Sequence, residues 1–466
     1  MTSTIPPLPK PTVLIAGAGL GGLMMGALLE RIGIPYHIFE RATKVKPLGS
    51  IMSLSPNITP LFRQLGLEGE LLKISLPVPV TNLFDIDMNV IGALKMDGQK
   101  EITGFETVVF ARPQLYELLL KQVPPTNISL GKRILSTEEK DDKVIIHCSD
   151  NSTHTGDILI GADGAYSCVR QHMYKRLEEM GVLPQSDTED LTIGYTLMVG
   201  IATQVDSSKY PQLQDPFSHF GSVLGNKRLS WGAYSVPDQI CWLLIDQDEN
   251  AEEARKQKFR NSEWTPESNE TMIDEFYDQP CPYGGKMGDL IDATPKELIS
   301  KVYVEEKMFK TWFHGRTVLL GDACHKMLPG AGQGAVNAMQ DAAILANGFY
   351  DLKDLTPESI TAMFQDYYDQ RFERAKENLE NSRLVTRIMG GQTWTDKLIR
   401  TIMFNLVPKF IQQQSYAKRS EYRPQVTFLP LIANTGTGNV LPQKPSWRYI
   451  EEQKQMKGDT DEVQAA

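Results

Sequence analysis

The segment 13–22 constrains the fold of this 466-residue chain most strongly, because it joins a short apolar run to four glycines. Val13–Ala16 predicts a buried parallel strand. Gly17 permits a tight turn, Gly19 lets a pyrophosphate approach the backbone, and Gly22 lets the next helix pack closely on the strand. The segment therefore predicts a strand–turn–helix unit that binds a dinucleotide.

The residues that follow specify which dinucleotide fits. A helix is predicted up to Gly33, a residue suited to a helix C-cap, and a second strand over Tyr36–Phe39 leads to Glu40. Glu40 lies 18 residues after Gly22, where a carboxylate accepts hydrogen bonds from an adenosine ribose 2′-hydroxyl. The same carboxylate would repel a 2′-phosphate, so the pattern disfavours NADP at this position.

Two later segments extend the pattern to a flavin. The first is Gly-Ala-Asp-Gly at 161–164, and the second runs from Gly321-Asp322 to Gly332-Gln-Gly334. A carboxylate at a strand end, such as Asp322, can bind a ribityl chain. Small residues at 330–335 would expose backbone N–H groups to a carbonyl oxygen that gains negative charge. The three segments in this order predict an FAD site.

The combined pattern resembles the single-component FAD-dependent aromatic hydroxylase family, typified by p-hydroxybenzoate hydroxylase. The resemblance covers about residues 12–350 and rests on the G-x-G-x-x-G turn, the central Asp-Gly and the late Gly-Asp. His-Lys-Met at 325–327, Asp-Ala-Ala at 341–343 and the segment 422–430 are most similar to the fungal secondary-metabolite subset.

The resemblance implies a set of cofactor-binding residues. Glu40 would bind the adenosine ribose, Arg112 the FAD, Asp163 both FAD and NAD(P)H, and Asp322 the ribityl chain. Arg170 completes the central motif. The full set is Gly17, Gly19, Gly22, Glu40, Arg41, Gly49, Ser53, Arg112, Asp163, Asp322, Pro329, Gly332, Gly334 and Ala335.

One position departs from the family pattern. Relatives commonly have Asn directly after Gly-Gln-Gly-x, whereas this chain has Val336, with Asn337 one place later. A contact between an Asn side chain and the flavin ring therefore does not follow from the resemblance, although backbone contacts do. Several relatives also have Gly where this chain has Ser53.

The resemblance also implies the reaction. FAD is bound non-covalently, NADPH or NADH binds transiently, and O₂ forms a flavin C4a-hydroperoxide that hydroxylates or epoxidises an apolar aromatic or isoprenoid-type molecule. No second G-x-G-x-x-G motif for NAD(P)H is present, as expected for this family. The sequence identifies no catalytic side chain. His325 and Cys324 are interpreted as structural residues.

Other flavoprotein classes fit less well. A halogenase needs a W-x-W-x-I-P run and a catalytic lysine, and the nearest stretch, 230–237, does not supply them. A Baeyer–Villiger enzyme would carry a second dinucleotide motif. An FAD-linked oxidase or dehydrogenase without oxygen insertion remains the alternative, and a non-enzymatic flavoprotein is the weakest.

The order of predicted elements gives an α/β fold with a Rossmann-like FAD-binding domain, a β-rich insert and a C-terminal helical region. The FAD-binding domain takes 8–184 and 306–350, with strands at 143–148 and 157–161 returning to one sheet. The β-rich substrate region takes 185–305, the helical region 351–443, and 444–466 is predicted to be a disordered tail. Candidate pocket residues in the insert are Tyr195, Phe217, Phe220, Trp231, Tyr234 and Trp242, although plain core positions are the stronger interpretation.

Composition excludes several classes. A net charge of −10 gives a nucleic-acid role no electrostatic basis. Five scattered cysteines without a C-x-x-C pair argue against a disulfide framework or a metal site and favour the cytoplasm. The N-terminus lacks the apolar core of a signal peptide, and no stretch is long and apolar enough to span a bilayer. Residues 397–410 form an amphipathic pattern, interpreted as a helix packed on the main body, with weak membrane-surface contact as the alternative. The partners expected are O₂ and a small-molecule substrate, and the sequence leaves the oligomeric state open.

Overall fold

A computed structural model describes residues 10–44, 49–225, 228–247, 266–390 and 393–455 of the chain. The strands are β1 (Val13–Ala16), β2 (Tyr36–Phe39), β3 (Ile51–Leu54), β4 (Leu76–Pro77), β5 (Val80–Phe84), β6 (Val90–Lys95), β7 (Val108–Ala111), β8 (Ile128–Ser129), β9 (Ile134–Lys140), β10 (Lys143–Cys148), β11 (Thr153–Gly156), β12 (Ile158–Gly161), β13 (Thr192–Ala202), β14 (Phe220–Leu224), β15 (Leu229–Val236), β16 (Gln239–Asp246), β17 (Ser300–Met308), β18 (Phe313–His314), β19 (Thr317–Leu319) and β20 (His325–Lys326).

The helices connect these strands and form the C-terminal part. They are α1 (Leu20–Ile32), α2 (Thr59–Gln64), α3 (Glu68–Lys73), α4 (Gln99–Thr103), α5 (Arg112–Leu120), α6 (Cys168–Glu179), α7 (Gln185–Thr188), α8 (Pro266–Tyr277), α9 (Met287–Asp292), α10 (Gly334–Asp351), α11 (Pro357–Gly390), α12 (Trp394–Thr401) and α13 (Lys409–Arg419). A π-helical turn, Ile402–Leu406, joins onto α12. Among the described helices, none combines the length and apolar character needed to span a membrane.

A six-stranded sheet in the order β18-β19-β12-β1-β2-β8 carries the predicted dinucleotide unit. All neighbours in it are parallel except β18 and β19. Strands β1 and β12 are buried at every position, and helices α1 and α6 as well as the strands β10 and β11 contact them. α1 and α10 pack against each other on this sheet. The predicted α/β class is confirmed, and the predicted C-cap at Gly33 is left-handed, with φ of 66°.

The second large sheet has eight strands in the order β20-β17-β13-β16-β15-β14-β5-β6. Its centre comes from the predicted β-rich region. Two of its strands, β5 and β6, come from residues 80–95, which the sequence had placed in the FAD-binding domain. The eight-stranded sheet is therefore not formed by one continuous insert. β5 pairs with β14 across about 140 residues of sequence.

One predicted strand belongs to another sheet. β10 was expected in the main sheet, but it pairs with β9 and β11 in a separate three-stranded antiparallel sheet. Its residues alternate between buried and partly exposed, and it begins at an exposed lysine, Lys143. Such alternation is typical of an antiparallel strand with one covered face and does not fit the fully buried centre of a parallel sheet. Only the 157–161 prediction, observed as β12, joins the main sheet.

The C-terminal region is helical, as predicted, and α11 packs on α10. The predicted 397–410 helix is divided into α12, the π-helical turn and the start of α13, with Pro408 at the N-cap of α13. The predicted disordered tail is wrong for its first part. Residues 447–455 are helical, and Arg448 Nε donates to the carbonyl of Tyr350 at 2.8 Å. Residues 456–466 lie outside the described residues.

Candidate active site

The turn after β1 contains two glycines, Gly17 and Gly22, at positions without room for a side chain. Gly17 has φ of +97°, and a Cβ on it would lie 2.5 Å from the carbonyl oxygen of Ala162. A Cβ on Gly22 would lie 2.1 Å from the carbonyl oxygen of Gly17. In contrast, a Cβ on Gly19 would have no atom within 4 Å. The turn is therefore closed against β12 and α1 and open at Gly19, the position predicted to face the pyrophosphate.

Glu40 is held rigidly beside this turn. Its carboxylate accepts a hydrogen bond from the N–H of Ala18 at 2.8 Å and another from the N–H of Ala42 at 2.9 Å. Each carboxylate oxygen has further lone pairs, so Glu40 can still accept from a ribose hydroxyl. The arrangement fits the role that the sequence predicted for Glu40.

A single cavity of about 2940 Å³ runs from this turn to the face of the eight-stranded sheet. Ten of the fourteen predicted cofactor residues line it, whereas the other four shape the backbone behind it. The ten are Gly19, Arg41, Gly49, Ser53, Arg112, Asp322, Pro329, Gly332, Gly334 and Ala335, and the four are Gly17, Gly22, Glu40 and Asp163.

The loop around Gly49 packs against Arg112, and both residues line the cavity. Gly49 has φ of +108°, and a Cβ there would lie 2.6 Å from Cδ of Arg112. The N–H of Arg112 donates to the carbonyl of Ser50 at 2.8 Å, which ties α5 to this loop. Burial lowers the pKa of Arg112, while the nearby charge of Asp322 raises it. Arg112 and Asp322 therefore face the same part of the cavity.

The central motif has a local structural role. The Asp163 carboxylate accepts from Ser167 Oγ at 2.5 Å and from the N–H of Cys168 at 2.7 Å, which caps the start of α6. Burial raises the pKa of Asp163. The Asp163 carboxylate also accepts from the N–H of Val169 at 3.2 Å, so these three hydrogen bonds tie it to the 167–169 turn. Contacts of Asp163 with FAD or NAD(P)H therefore stay a prediction.

Arg170 links the central motif to the late motif through hydrogen bonds to the backbone of both. The side chain is buried, and it donates to the carbonyl of Ala323 and to that of Ala165, each at 2.7 Å. Its guanidinium also lies over the ring of Phe309, 4.0 Å from the centroid. A cation on α6 thus fixes the loop that carries Asp322.

The late motif places an acid and a helix start on one wall. Asp322 forms an ion pair with Lys326 at 2.7 Å, and the charge of Asp322 raises the pKa of Lys326. Gly332 has φ of +64°, and α10 begins at Gly334. The first N–H groups of a helix have no partner within the helix, so this wall offers backbone donors and a positive dipole end.

The structure shows where Val336 and Asn337, the positions that depart from the family pattern, lie relative to the cavity. Both side chains are buried, and neither lines the cavity. Asn337 Nδ2 donates to the carbonyl of Gln333 at 2.9 Å, and its Oδ1 accepts from Arg371 at 2.7 Å. The Asn337 side chain therefore serves the protein interior, and the backbone of 332–335 remains the cavity wall.

The eight-stranded sheet separates the predicted pocket residues by strand alternation. Tyr195, Phe220 and Tyr234 line the cavity. Trp231 and Trp242 belong to a second hydrophobic core on the other face, although an edge of Trp231 borders the cavity. Phe217 does not line it and contacts the ring of His219 instead.

Sequence reasoning missed several cavity residues. Tyr166 donates to Glu305 at 2.5 Å, and both border the cavity, as does Lys326. A further wall comes from the C-terminal region, through Met389 on α11 and Phe404 on the π-helical turn. The amphipathic pattern of 397–410 indicated that one face is covered, but not that it covers a cavity.

Comparison with known proteins identifies the cofactor. A family model described as FAD binding domain matches residues 10–201 and 257–382, which is more than half of the chain. The chain belongs to this family. The FAD-dependent monooxygenase paxM of Penicillium paxilli is 29% identical over 456 residues, covering 94% of this chain and 91% of the relative. The FAD-dependent monooxygenase olcE of Penicillium canescens is 26% identical over 443 residues, covering 91% of each chain.

Solved structures agree on the fold. The crystal structure of Klebsiella pneumoniae HpxO in complex with FAD and uric acid superposes with a TM-score of 0.71 at 20% identity, covering 89% of this chain and 97% of that one. The structure of CtdE in complex with FAD and its substrate gives 0.67 at 17% identity, covering 88% and 97%. The chain is an FAD-dependent monooxygenase with fungal relatives, which confirms the resemblance to this family inferred from its motifs.

A buried charge network supports the cofactor side of this monooxygenase. Asp341 is fully buried, and it pairs with His325 Nε2 at 2.6 Å and with Arg371 Nε at 2.7 Å. It also accepts from the N–H of Gly321 at 2.9 Å. Cys324, His325 and Asp341 offer ligand atoms within 4.8 Å of one another, as a metal site would. We interpret the cluster as a hydrogen-bonded network, because both oxygens of Asp341 already accept from protein donors.

Proposed function

We propose that this monooxygenase takes electrons from NADPH or NADH and inserts one atom of O₂ into an apolar aromatic or isoprenoid-type small molecule, by hydroxylation or epoxidation. The observation that carries the proposal is the single cavity, which joins the predicted FAD residues to an apolar sheet face. When bound, FAD supplies the electron transfer and the oxygen activation. The chain supplies binding, orientation and exclusion of water.

The size of the cavity supports two bound molecules. Pockets for one small ligand commonly measure about 300–1,000 Å³. The cavity of about 2940 Å³ exceeds that range, so space remains beside a cofactor at the 322–335 wall. A bulky substrate fits this space better than a small one.

The lining of the sheet face supports an apolar substrate. Alternate residues in parts of β13 and β16 line the cavity, and four of them are aliphatic: Leu197, Val199, Leu243 and Ile245. Tyr195, Phe220 and Tyr234 add aromatic surface. Apolar walls with few polar groups favour an apolar ligand, since buried polar groups of a ligand would lack partners.

Two cations, Lys301 and Arg419, border the substrate side of the cavity, whereas the other described cations of the β-rich region do not. Lys209 pairs with Asp289 at 3.3 Å, Arg228 pairs with Glu275 at 2.6 Å, and neither lines the cavity. Lys227 lies outside the described residues. Lys301 does border the cavity, but burial lowers its pKa, while Asp246 and Glu275 raise it by supplying opposite charge. A small phenolate would need a dedicated cation in the cavity. Lys301 is a weak candidate for that role, because the charges of Asp246 and Glu275 already balance it.

The proposal extends to weak contact between 397–410 and a membrane surface. An apolar small molecule partitions into lipid, so an enzyme for such a substrate gains from contact with lipid.

The experiment is a substrate screen with the purified, FAD-loaded enzyme. Terpenoid alkenes, prenylated aromatics and small phenolates are compared for their acceleration of NADPH and NADH oxidation. We expect acceleration by the bulky apolar compounds with product formed in step. Acceleration by small phenolates alone would contradict the proposed substrate class.

Glu40→Lys tests the cofactor assignment in the same preparation. It replaces the ribose acceptor by a cation, so the variant should lose most of its yellow colour. Undiminished flavin absorbance would remove Glu40 from the proposed site.

A further inference from the structure

The segment 394–411 exposes an unusual number of large apolar side chains. Of the twenty exposed large hydrophobic residues in the described part of the chain, seven lie in these eighteen positions. Five of them recur at every fourth position along α12, the π-helical turn and the start of α13, and we call this set the outer face: Trp394 (75% exposed), Leu398 (51%), Ile402 (43%), Leu406 (67%) and Phe410 (61%). Within α12, the spacing of four places Trp394 and Leu398 on the same side of the helix. Exposed apolar patches of this kind mark interaction surfaces.

The opposite side of the same segment is packed on the protein. A Cβ on Gly92 in β6 would lie 2.6 Å from Cβ of Phe404, so the two backbones lie close together. Asn405 Nδ2 donates to the carbonyl of Ile91 at 2.9 Å. Met403 and Val407 line the substrate cavity. The orientation of the segment is therefore fixed, and the outer face is not a core face that lost its partner.

Charge around the outer face is opposite to that of the whole chain. Residues 394–419 contain five basic residues (Lys397, Arg400, Lys409, Lys418 and Arg419) and one acid, in a chain of net charge −10. The one acid, Asp396, is buried, and it pairs with Arg387 at 3.0 Å and caps α12 through Thr393. Lys409 forms an ion pair with Asp97 at 3.8 Å, and Arg419 also borders the cavity. An apolar strip bordered by cations is complementary to an anionic lipid surface.

We propose that the outer face docks on an anionic phospholipid surface, so that the cavity wall formed by Met403 and Val407 lies against the bilayer and apolar substrate reaches the cavity from the lipid. The docking deepens the membrane contact included in the proposed function, and the route for substrate rests on the proposed substrate class. A second copy of the chain is a poorer occupant, because symmetric pairing would bring the same basic residues together.

The test is flotation of the FAD-loaded enzyme with vesicles. Vesicles of phosphatidylcholine and phosphatidylserine at 7:3 should carry at least about threefold more enzyme than pure phosphatidylcholine, and 0.5 M NaCl should remove the difference. The double variant Leu406→Asp, Phe410→Asp should reduce flotation about tenfold. The matched control is Met180→Asp, Val182→Asp, whose side chains are 60% and 59% exposed outside the segment. The control should float like the original enzyme.

A second readout locates the contact. Brominated lipid should quench the fluorescence of Trp394, and Trp394→Phe should remove that quenching. The proposal would be overturned if the fraction of enzyme that floats changed neither on addition of phosphatidylserine nor in the double variant. A dimer in solution that the double variant converts to monomer, without flotation of either, would show a subunit interface instead. Flotation needs no turnover, so a negative substrate screen with intact flotation would count against the proposed function alone.

Discussion

The two halves of the cavity are built in different ways. The cofactor half is made of backbone, at positions where a single added methyl group would lie 2.1 to 2.6 Å from another atom, as at Gly17, Gly22 and Gly49. The substrate half is made of alternate side chains on a sheet, including Val199, Tyr234 and Leu243. Few residues satisfy the first kind of constraint, while many apolar residues satisfy the second. The cofactor can therefore be inferred from a sequence more readily than the substrate.

The largest effect is expected from a substitution that distorts the backbone turn of the cofactor half. Gly22→Ala places a Cβ 2.1 Å from the carbonyl oxygen of Gly17, so α1 must shift away from the turn. We expect the variant to lose FAD and to lose about 3 kcal/mol or more of unfolding free energy, measured by urea denaturation.

Gly19→Ala is the matched control for that variant. Its Cβ meets no atom within 4 Å, so the stability of the FAD-free protein should not change, while FAD affinity should fall. Retention of FAD by Gly22→Ala would show that the turn is not the constraint we describe.

The next effect concerns the buried network under the cofactor half. Asp341→Ala leaves His325 and Arg371 buried without their acid, which should cost about 3–5 kcal/mol of unfolding free energy. Asp366→Ala removes a surface pair with Lys444 and should cost about 0–1 kcal/mol. Equal losses in the two variants would contradict the supporting role of the network.

The network also predicts a dependence on pH. Burial alone would raise the pKa of Asp341, but His325 and Arg371 lower it to about 2, from an ordinary value of 3.8. The stabilisation is therefore present above about pH 4 and is lost as the pH falls through 2. Urea denaturation between pH 4 and pH 2 should show a steeper loss of stability for the original enzyme than for Asp341→Ala.

A smaller effect is expected at the ribityl position. Asp322→Ala removes a charge-assisted acceptor worth about 1.5–3 kcal/mol, so FAD should bind about 10- to 150-fold more weakly. Lys326→Met removes the ion pair at 2.7 Å while keeping the carboxylate, and it should weaken FAD less. A titration with FAD that finds original affinity in Asp322→Ala would remove this residue from the cofactor site.

The smallest effect is expected in the substrate half. Tyr234→Phe removes a hydroxyl that lies 3.1 Å from Ser222 Oγ, worth about 0.5–1.5 kcal/mol. KM for the substrate should change by less than about tenfold, with FAD occupancy unchanged. Trp242→Phe on the opposite sheet face loses a hydrogen bond to Thr294 and should alter stability without altering KM. A larger change of KM in Trp242→Phe would contradict the division of the two faces.

The same contrast explains what could be predicted from the sequence. The turn at Gly17–Gly22, the position of Glu40 and the C-cap at Gly33 depend on neighbours in sequence, and the structure has them where they were expected. Partner choice between distant strands was predicted less well. β10 was assigned to the main sheet, although it pairs with its sequence neighbours β9 and β11, and its alternation of burial was the available signal. β5 and β6 were not placed with β14, because β5 pairs with β14 across about 140 residues of sequence.

Order in the C-terminal tail also depends on distant partners. Ser446 donates to Asp351 at 2.6 Å, and Trp447 Nε1 donates to the backbone carbonyl of Asp351 at 2.9 Å, at the end of α10. A segment of low apolar content is ordered here by a few polar contacts, and composition gave no indication of them. The tryptophan was the available signal, since a disordered tail seldom contains one.

Turnover under isotopically labelled O₂ tests the central claim most directly. The labelled gas is supplied with NADPH and a substrate that accelerates its oxidation, and the product is analysed by mass spectrometry. We predict that the product gains one labelled oxygen atom and that little hydrogen peroxide accumulates, because the cavity of about 2940 Å³ has room for cofactor and substrate side by side. Product without label, together with hydrogen peroxide in proportion to the substrate oxidised, would show an oxidase and contradict the account.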